Sequence, residues 1–201
     1  MLANFGWKRQ RKTAMNHPKL YTSKNCLSIH LASEAGQAVQ ISIHRPSPFI
    51  CANLERVLPD WHLPDLWVVV VLQQSRYELV EKTPHVEREK QYLREKFMRF
   101  GFDVAFNLRD RGFLTDLIDP RTGYPLFSHP GEIPHDDTAV VKALLGFPVI
   151  ENSCRVLVHP RWGMAVYPSI LISSASPTVV KPVLKKVAAL HGWRQMSKML
   201  M

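Results

Sequence analysis

The run Leu66-Trp67-Val68-Val69-Val70-Val71-Leu72 is apolar throughout and dominated by β-branched valine. It falls far short of the roughly 20 residues that a membrane-spanning helix needs. Its residue types instead favour an extended strand covered on both faces. A strand of that kind needs neighbours on its edges and layers above and below it, so the flanking sequence must supply a sheet and helices.

The flanks meet that demand. Val39, Ile41 and Ile43 alternate with polar residues and predict a half-buried strand, after which Ser47-Pro48 provides an N-cap and a first-turn proline for a helix to about Leu58. Thr83-Pro84 opens the longest helix, and Val86, Leu93, Phe97, Phe100, Val104 and Leu108 keep helical spacing down to Gly112. Within it Gly101 reads as a bend, and Glu87, Glu89, Arg94 and Lys96 read as a solvated surface. Residues 113–118, the turn Asp119-Pro120-Arg121-Thr122-Gly123 and residues 124–127 predict a hairpin. Residues 128–137 read as loop, ending in Asp137 as the cap of a short helix that stops at Gly146. A second hairpin is expected with arms 153–158 and 164–173 joined by residues 159–163, followed by a last helix opened by Ser176-Pro177 and limited or kinked by Pro182. The order mixes α and β without βαβ alternation, which predicts an α+β fold, a mainly antiparallel sheet flanked by helices.

At 201 residues, 46% of them apolar, the chain suits one well-cored domain, expected over residues 36–190 between a basic, disordered tail (1–35) and a short C-terminal tail (191–201). The formal charge of +9 invites a nucleic-acid reading, but its distribution weakens it. Residues 1–33 carry six Lys or Arg and no acid, residues 34–151 hold all 17 acidic groups against 13 basic ones, and residues 152–201 hold seven basic groups and no acid. The body is near neutral with basic ends, so neither nucleic acid nor membrane is an expected partner. Cys26, Cys51 and Cys154 form no C-x-x-C pair and suggest no disulfide scaffold. A cytoplasmic protein is expected, or a mitochondrial one if residues 1–33 act as a transit segment.

The sequence has no G-x-x-x-x-G-K-[ST] phosphate loop, no G-x-G-x-x-G, no G-x-S-x-G elbow and no H-E-x-x-H. His129, His135, Asp136 and Asp137 lie close together in sequence, but polar residues concentrate in loops and a solvated loop accounts for them better than a metal site.

Three further segments carry a more specific pattern. Asp116-x-Ile118-Asp119-Pro120-x-x-Gly123, Leu145-Gly146-Phe147-x-Val149 and Cys154-x-Val156-x-x-His159-x-x-Trp162-Gly163-x-x-Val166, closed by Ala175-x-Pro177, resemble the methylmalonic aciduria and homocystinuria type D protein family, the cobalamin-trafficking cblD proteins. The resemblance extends from about residue 40 to 186. It implies a flavin-reductase/nitroreductase-like fold that performs no catalysis: an adaptor that binds a cblC-like cobalamin-processing protein and directs the cofactor toward cobalamin-dependent enzymes. On that implication the chain binds no cofactor alone and shares cobalamin with its partner. The rival reading on the same fold is a flavin-dependent reductase.

The resemblance also implies site residues. The family carries two adjacent cysteines, the first proposed to ligate cobalt, where this chain has Ser153-Cys154. Serine is a harder donor and stays protonated near neutral pH, so Cys154 is the thiol left for cobalt, with Ser153 beside it. On a regular strand the two point to opposite faces, and a bulge is needed to turn Cys154 into the family position. His159 and Trp162, expected at a hairpin tip, are candidates for contact with the partner or with the corrin face. Asp119 is the third partner-facing candidate, although a turn-fixing role explains it more simply.

Overall fold

The computed structural model describes residues 27–32, 36–62, 65–151 and 155–195. The elements run β1 (Leu27–Ala32), β2 (Ala38–His44), α1 (Pro48–Ala52), α2 (Leu54–Val57), β3 (Trp67–Gln74), α3 (Pro84–Arg109), β4 (Thr115–Ile118), α4 (Asp137–Leu145), β5 (Val149–Glu151), β6 (Arg155–Leu157), β7 (Val166–Ser173), α5 (Pro177–Leu190) and β8 (Arg194–Gln195). Six strands form one sheet in the order β4-β7-β3-β2-β1-β8, antiparallel at every pairing, and β5 pairs with β6 in a separate two-stranded sheet. The chain is α+β, with a mainly antiparallel sheet flanked by helices.

The apolar run becomes β3, inside the sheet between β2 and β7. Its alternation divides two cores. Val69 and Val71 pack with Phe97, Phe100 and Leu108 of α3 and Val183, Leu184 and Val187 of α5. Val68, Val70 and Leu72 pack on the other face with Ile50, Leu54 and Val57 of α1 and α2 and with Val140 and Val141 of α4. Each such side chain, fully buried, is worth about 1.5–3 kcal/mol. Gly101, expected as a bend, is instead a contact point: a Cβ there would overlap the Leu117 side chain.

Several local expectations are corrected. The helix expected from Ser47 to Leu58 breaks at Asn53 into α1 and α2, although Ser47 caps it as anticipated. β2 is buried on both faces: Ser42 and His44 are enclosed with His44 Nε2 2.7 Å from Ser42 Oγ, and burial lowers the His44 pKa to about 4. Glu89 is buried and accepts from the Arg76 amide at 3.1 Å, so the charges of α3 do not all face solvent. Asp136, not Asp137, caps α4, accepting from the Ala139 amide at 2.9 Å, while Gly146 ends that helix at φ +72° as expected.

Both hairpins differ from expectation. Residues 124–127 do not form a second strand beside β4; a single bridge joins Ile118 to Pro125. Proline offers no N–H to a ladder, the Leu126 amide is shared between the Leu117 carbonyl and the Asp116 carboxylate, and the amides of Phe127 and Ser128 go to that carboxylate alone. In the second case β6 does not pair with β7. The three-residue β6 joins β5, while the eight-residue β7, carrying Ile170, Leu171 and Ile172, inserts between β3 and β4 where both of its faces are covered. The sheet also passes both domain limits expected from sequence, with β1 starting at Leu27 and β8 reaching Gln195.

Candidate functional site

A cleft of about 400 Å³ opens between the 120–123 turn, residues 134–138 around the start of α4, strand β6 and the first residues of β7, with Lys90 of α3 at its side. Asp116, fully buried on β4, anchors the chain beyond the turn. Its carboxylate accepts from four backbone amides: its own neighbour Leu117 at 2.7 Å, Leu126 at 2.9 Å, Phe127 at 3.0 Å and Ser128 at 2.8 Å. The chain leaving the turn is held by this one side chain.

Asp119 fixes the turn itself. It is 6% exposed and takes a two-pronged contact from Arg94, at 2.7 and 2.8 Å, while accepting from the Arg121 amide at 3.0 Å. Gly123 closes the turn at φ +74°, pressed against the backbone of His135, whose amide donates to the Gly123 carbonyl at 2.7 Å. The Arg94 hydrogen bond holds the Asp119 carboxyl below the usual carboxylate range. A carboxyl depressed in the folded state contributes stability that is complete above its unfolded pKa of about 4 and is lost as pH falls through the lower folded value. We expect Arg94→Met to cost about 2 kcal/mol at neutral pH, and Asp119→Asn to flatten the loss of stability below about pH 4; urea denaturation between pH 3 and 7 checks both.

On the far side of the turn, His135 is buried with its Nδ1 3.1 Å from Asp137 Oδ1. Burial raises the Asp137 pKa, against the lowering effect of the His135 hydrogen bond, and Asp137 Oδ2 is enclosed without a hydrogen-bond partner. Asp136 pairs with Arg155, which also lies 3.8 Å from Glu151. Tyr167 of β7 completes the floor, and burial raises its phenol pKa.

The candidate residues from sequence separate. Asp119 lines no open surface; it positions the turn. His159 is 3% exposed: its Nδ1 accepts from the amides of Arg161 and Trp162, both at 3.2 Å, so the proton sits on Nε2 and donates to Gln40 Oε1 at 3.1 Å. Burial, with the Arg161 and His30 charges nearby, lowers its pKa to about 4. Trp162 stacks on the imidazole at 3.9 Å and Phe147 meets it edge-on at 5.3 Å. The Leu-Gly-Phe and His-x-x-Trp segments thus form one aromatic stack that pins the 159–163 turn to β2. Ser153 and Cys154 lie outside the described residues. β5 and β6 pair with Glu151 opposite Arg155.

Sequence reasoning missed Asp116, Arg94, Tyr167 and the His135–Asp137 pair as elements of the site. Asp116 carried a signal, since it opens the Asp-x-Ile-Asp-Pro segment; Tyr167, inside a strand, carried none. His129 pairs with Asp60 rather than with His135, ring nitrogen to carboxylate 3.0 Å. Among the described residues no group of three or more His, Cys, Asp or Glu could hold a metal ion, and no helix is long and apolar enough to cross a membrane.

A family model, "Methylmalonic aciduria and homocystinuria type D protein", matches residues 8–187. Among curated proteins, the Cobalamin trafficking protein CblD of Homo sapiens is 25% identical over 151 residues, 75% of this chain and 50% of that protein. Those of Gallus gallus and Mus musculus are 22% and 24% identical over the same shares. The chain spans about half the length of the curated relatives it matches.

Proposed function

Because the chain belongs to the methylmalonic aciduria and homocystinuria type D protein family, we propose that it serves cobalamin trafficking as a non-catalytic adaptor. It holds a cblC-like cobalamin-processing protein, shares the corrin with it, and directs the cofactor toward cobalamin-dependent enzymes. Its fold, on this reading, is of flavin-reductase/nitroreductase-like descent.

The observation that carries the proposal is the arrangement of the family-like segments. Residues 120–123 of the Asp116–Gly123 segment and the β6 strand that follows Cys154 line one cleft, and the Phe147, His159 and Trp162 rings stack beyond β6. β5 and β6 form a two-stranded sheet of their own. Cys154 precedes β6 in sequence and is the thiol proposed to meet cobalt held by the partner. Thiolate is a soft donor suited to a cobalt centre whose upper ligand has been removed.

The test is the absorption spectrum of cob(II)alamin with the purified full chain and its cblC-like partner. Wild type is expected to co-elute with the loaded partner and to perturb the spectrum. Cys154→Ala should abolish the perturbation while leaving co-elution, and Ser153→Cys should strengthen it. Neither co-elution nor a spectral change in the wild type would overturn the proposal, and a saturable yellow flavin chromophore on the purified chain would replace it with a reductase.

A further inference from the structure

We propose that His30 of β1 and Arg161 of the 159–163 turn form a seat for a phosphate group. The inference uses neither the cleft nor Cys154, and it stands apart from the cobalamin reading.

The turn holds the backbone of Arg161 rigidly. The His159 amide donates to the Gly163 carbonyl at 2.8 Å, and the Gly163 amide donates to the His159 carbonyl at 3.0 Å, with Gly163 at φ +55°. The buried His159 ring accepts from the Arg161 amide and is stacked against Trp162. Yet the Arg161 side chain is exposed and enters no salt bridge among the described residues. Its backbone is ordered before any ligand arrives, which lowers the entropy lost when the guanidinium engages an oxyanion.

His30 brings the second basic group. It faces Gln40 across the β1–β2 ladder, and Gln40 Oε1 accepts from His159 Nε2 at 3.1 Å, so β1 and the turn meet at this point. His30 is half-buried, and its ring makes no hydrogen bond among the described residues. Burial lowers its pKa and the Arg161 charge lowers it further, as expected of close neighbours of like charge. His159, which also feels Arg161 and His30, is neutral at pH 7, its pKa lowered to about 4.

No carboxylate is at hand to neutralise the pair. β1, β2 and residues 155–195 contain no Asp or Glu, and outside the described residues Glu34 is the only acid. Two basic side chains that converge from separate elements without a counter-charge suit an anion with oxygens on more than one side. Phosphate offers that: the planar guanidinium donates to two of its oxygens as a fork and the imidazole donates to a third. A carboxylate is filled by the guanidinium alone.

The experiment titrates the full chain with inorganic phosphate at pH 7 and constant ionic strength, with acetate as the control, and reads the His30 ring protons by NMR. Phosphate should drive those signals saturably toward their imidazolium position, because a bound anion favours the charged ring. Arg161→Gln keeps the backbone amide that donates to His159 and should weaken binding about tenfold, the loss of hydrogen bonds to a charged group. His30→Gln should weaken binding while the Arg161 Nε–H signal still responds. No saturable shift, an equal response to acetate, or undiminished binding by Arg161→Gln would overturn the proposal. Dimethyl phosphate separates the sources. Binding as tight as that of inorganic phosphate assigns the seat to a bridging diester, and weaker binding assigns it to a terminal phosphate. Neither result depends on the cob(II)alamin spectrum, so failure of the seat and failure of the trafficking reading are told apart.

Discussion

Asp116→Ala is expected to destabilise the protein by about 4 kcal/mol or more, because it strips the acceptor from several amides at once and leaves a fully buried cavity. The Asp116 carboxylate is fully enclosed, and Leu117, Leu126, Phe127 and Ser128 all donate to it. Water cannot reach the site to compensate. Asp116→Asn is a sharper control than alanine: it preserves volume but turns an NH₂ toward amides that themselves donate, so we expect it to recover less than half of the loss. Equilibrium urea denaturation measures both. An Asn variant as stable as wild type would mean that the carboxylate holds residues 126–128 through one oxygen only.

Gly123→Ala should be the next most damaging change and the most informative for the cleft. The glycine sits at φ +74°, where an L-residue pays about 1–2 kcal/mol, and an added Cβ would lie 2.5 Å from the His135 carbonyl oxygen. That oxygen is no flexible tip, since His135 is tied to Gly123 by its own amide. We expect a total cost of about 3 kcal/mol, because the turn and the start of α4 are forced apart. Thermal melts measure it. A variant as stable as wild type would show that the turn can retreat without its opposite wall.

The parts of the fold that could be read from the chain were those in which one segment decides for itself. The valine run required two covered faces wherever it was placed, and Thr83-Pro84 with its helical spacing required α3. Pairing was harder, because β6 and β7 follow each other across a tight turn, as hairpin arms do, and only the burial demand of Ile170, Leu171 and Ile172 sends β7 elsewhere. β1 had a usable alternation in Ile29 and Leu31, masked by its acid-free, basic surroundings. At the site, the family-like segments marked the turn and the aromatic stack. Their physical jobs lay in partners remote in sequence: Arg94 for Asp119, residues 126–128 for Asp116, and Gln40 for His159. Polarity places such residues on a surface by default, and their enclosure follows only once the chain has been folded around them.

The placement of β7 has a bearing on synthesis. β3 is complete at residue 74, yet one of its two edges waits for residues 166–173, so on the ribosome the most apolar strand of the chain exposes an unpaired backbone while about ninety further residues are added. Any nascent chain halted before β7 presents that edge to other chains rather than to its own. A cell making this protein therefore gains more from a chaperone that shields extended apolar segments than from any help with the early helices, and premature termination leads to aggregates rather than to a smaller folded protein.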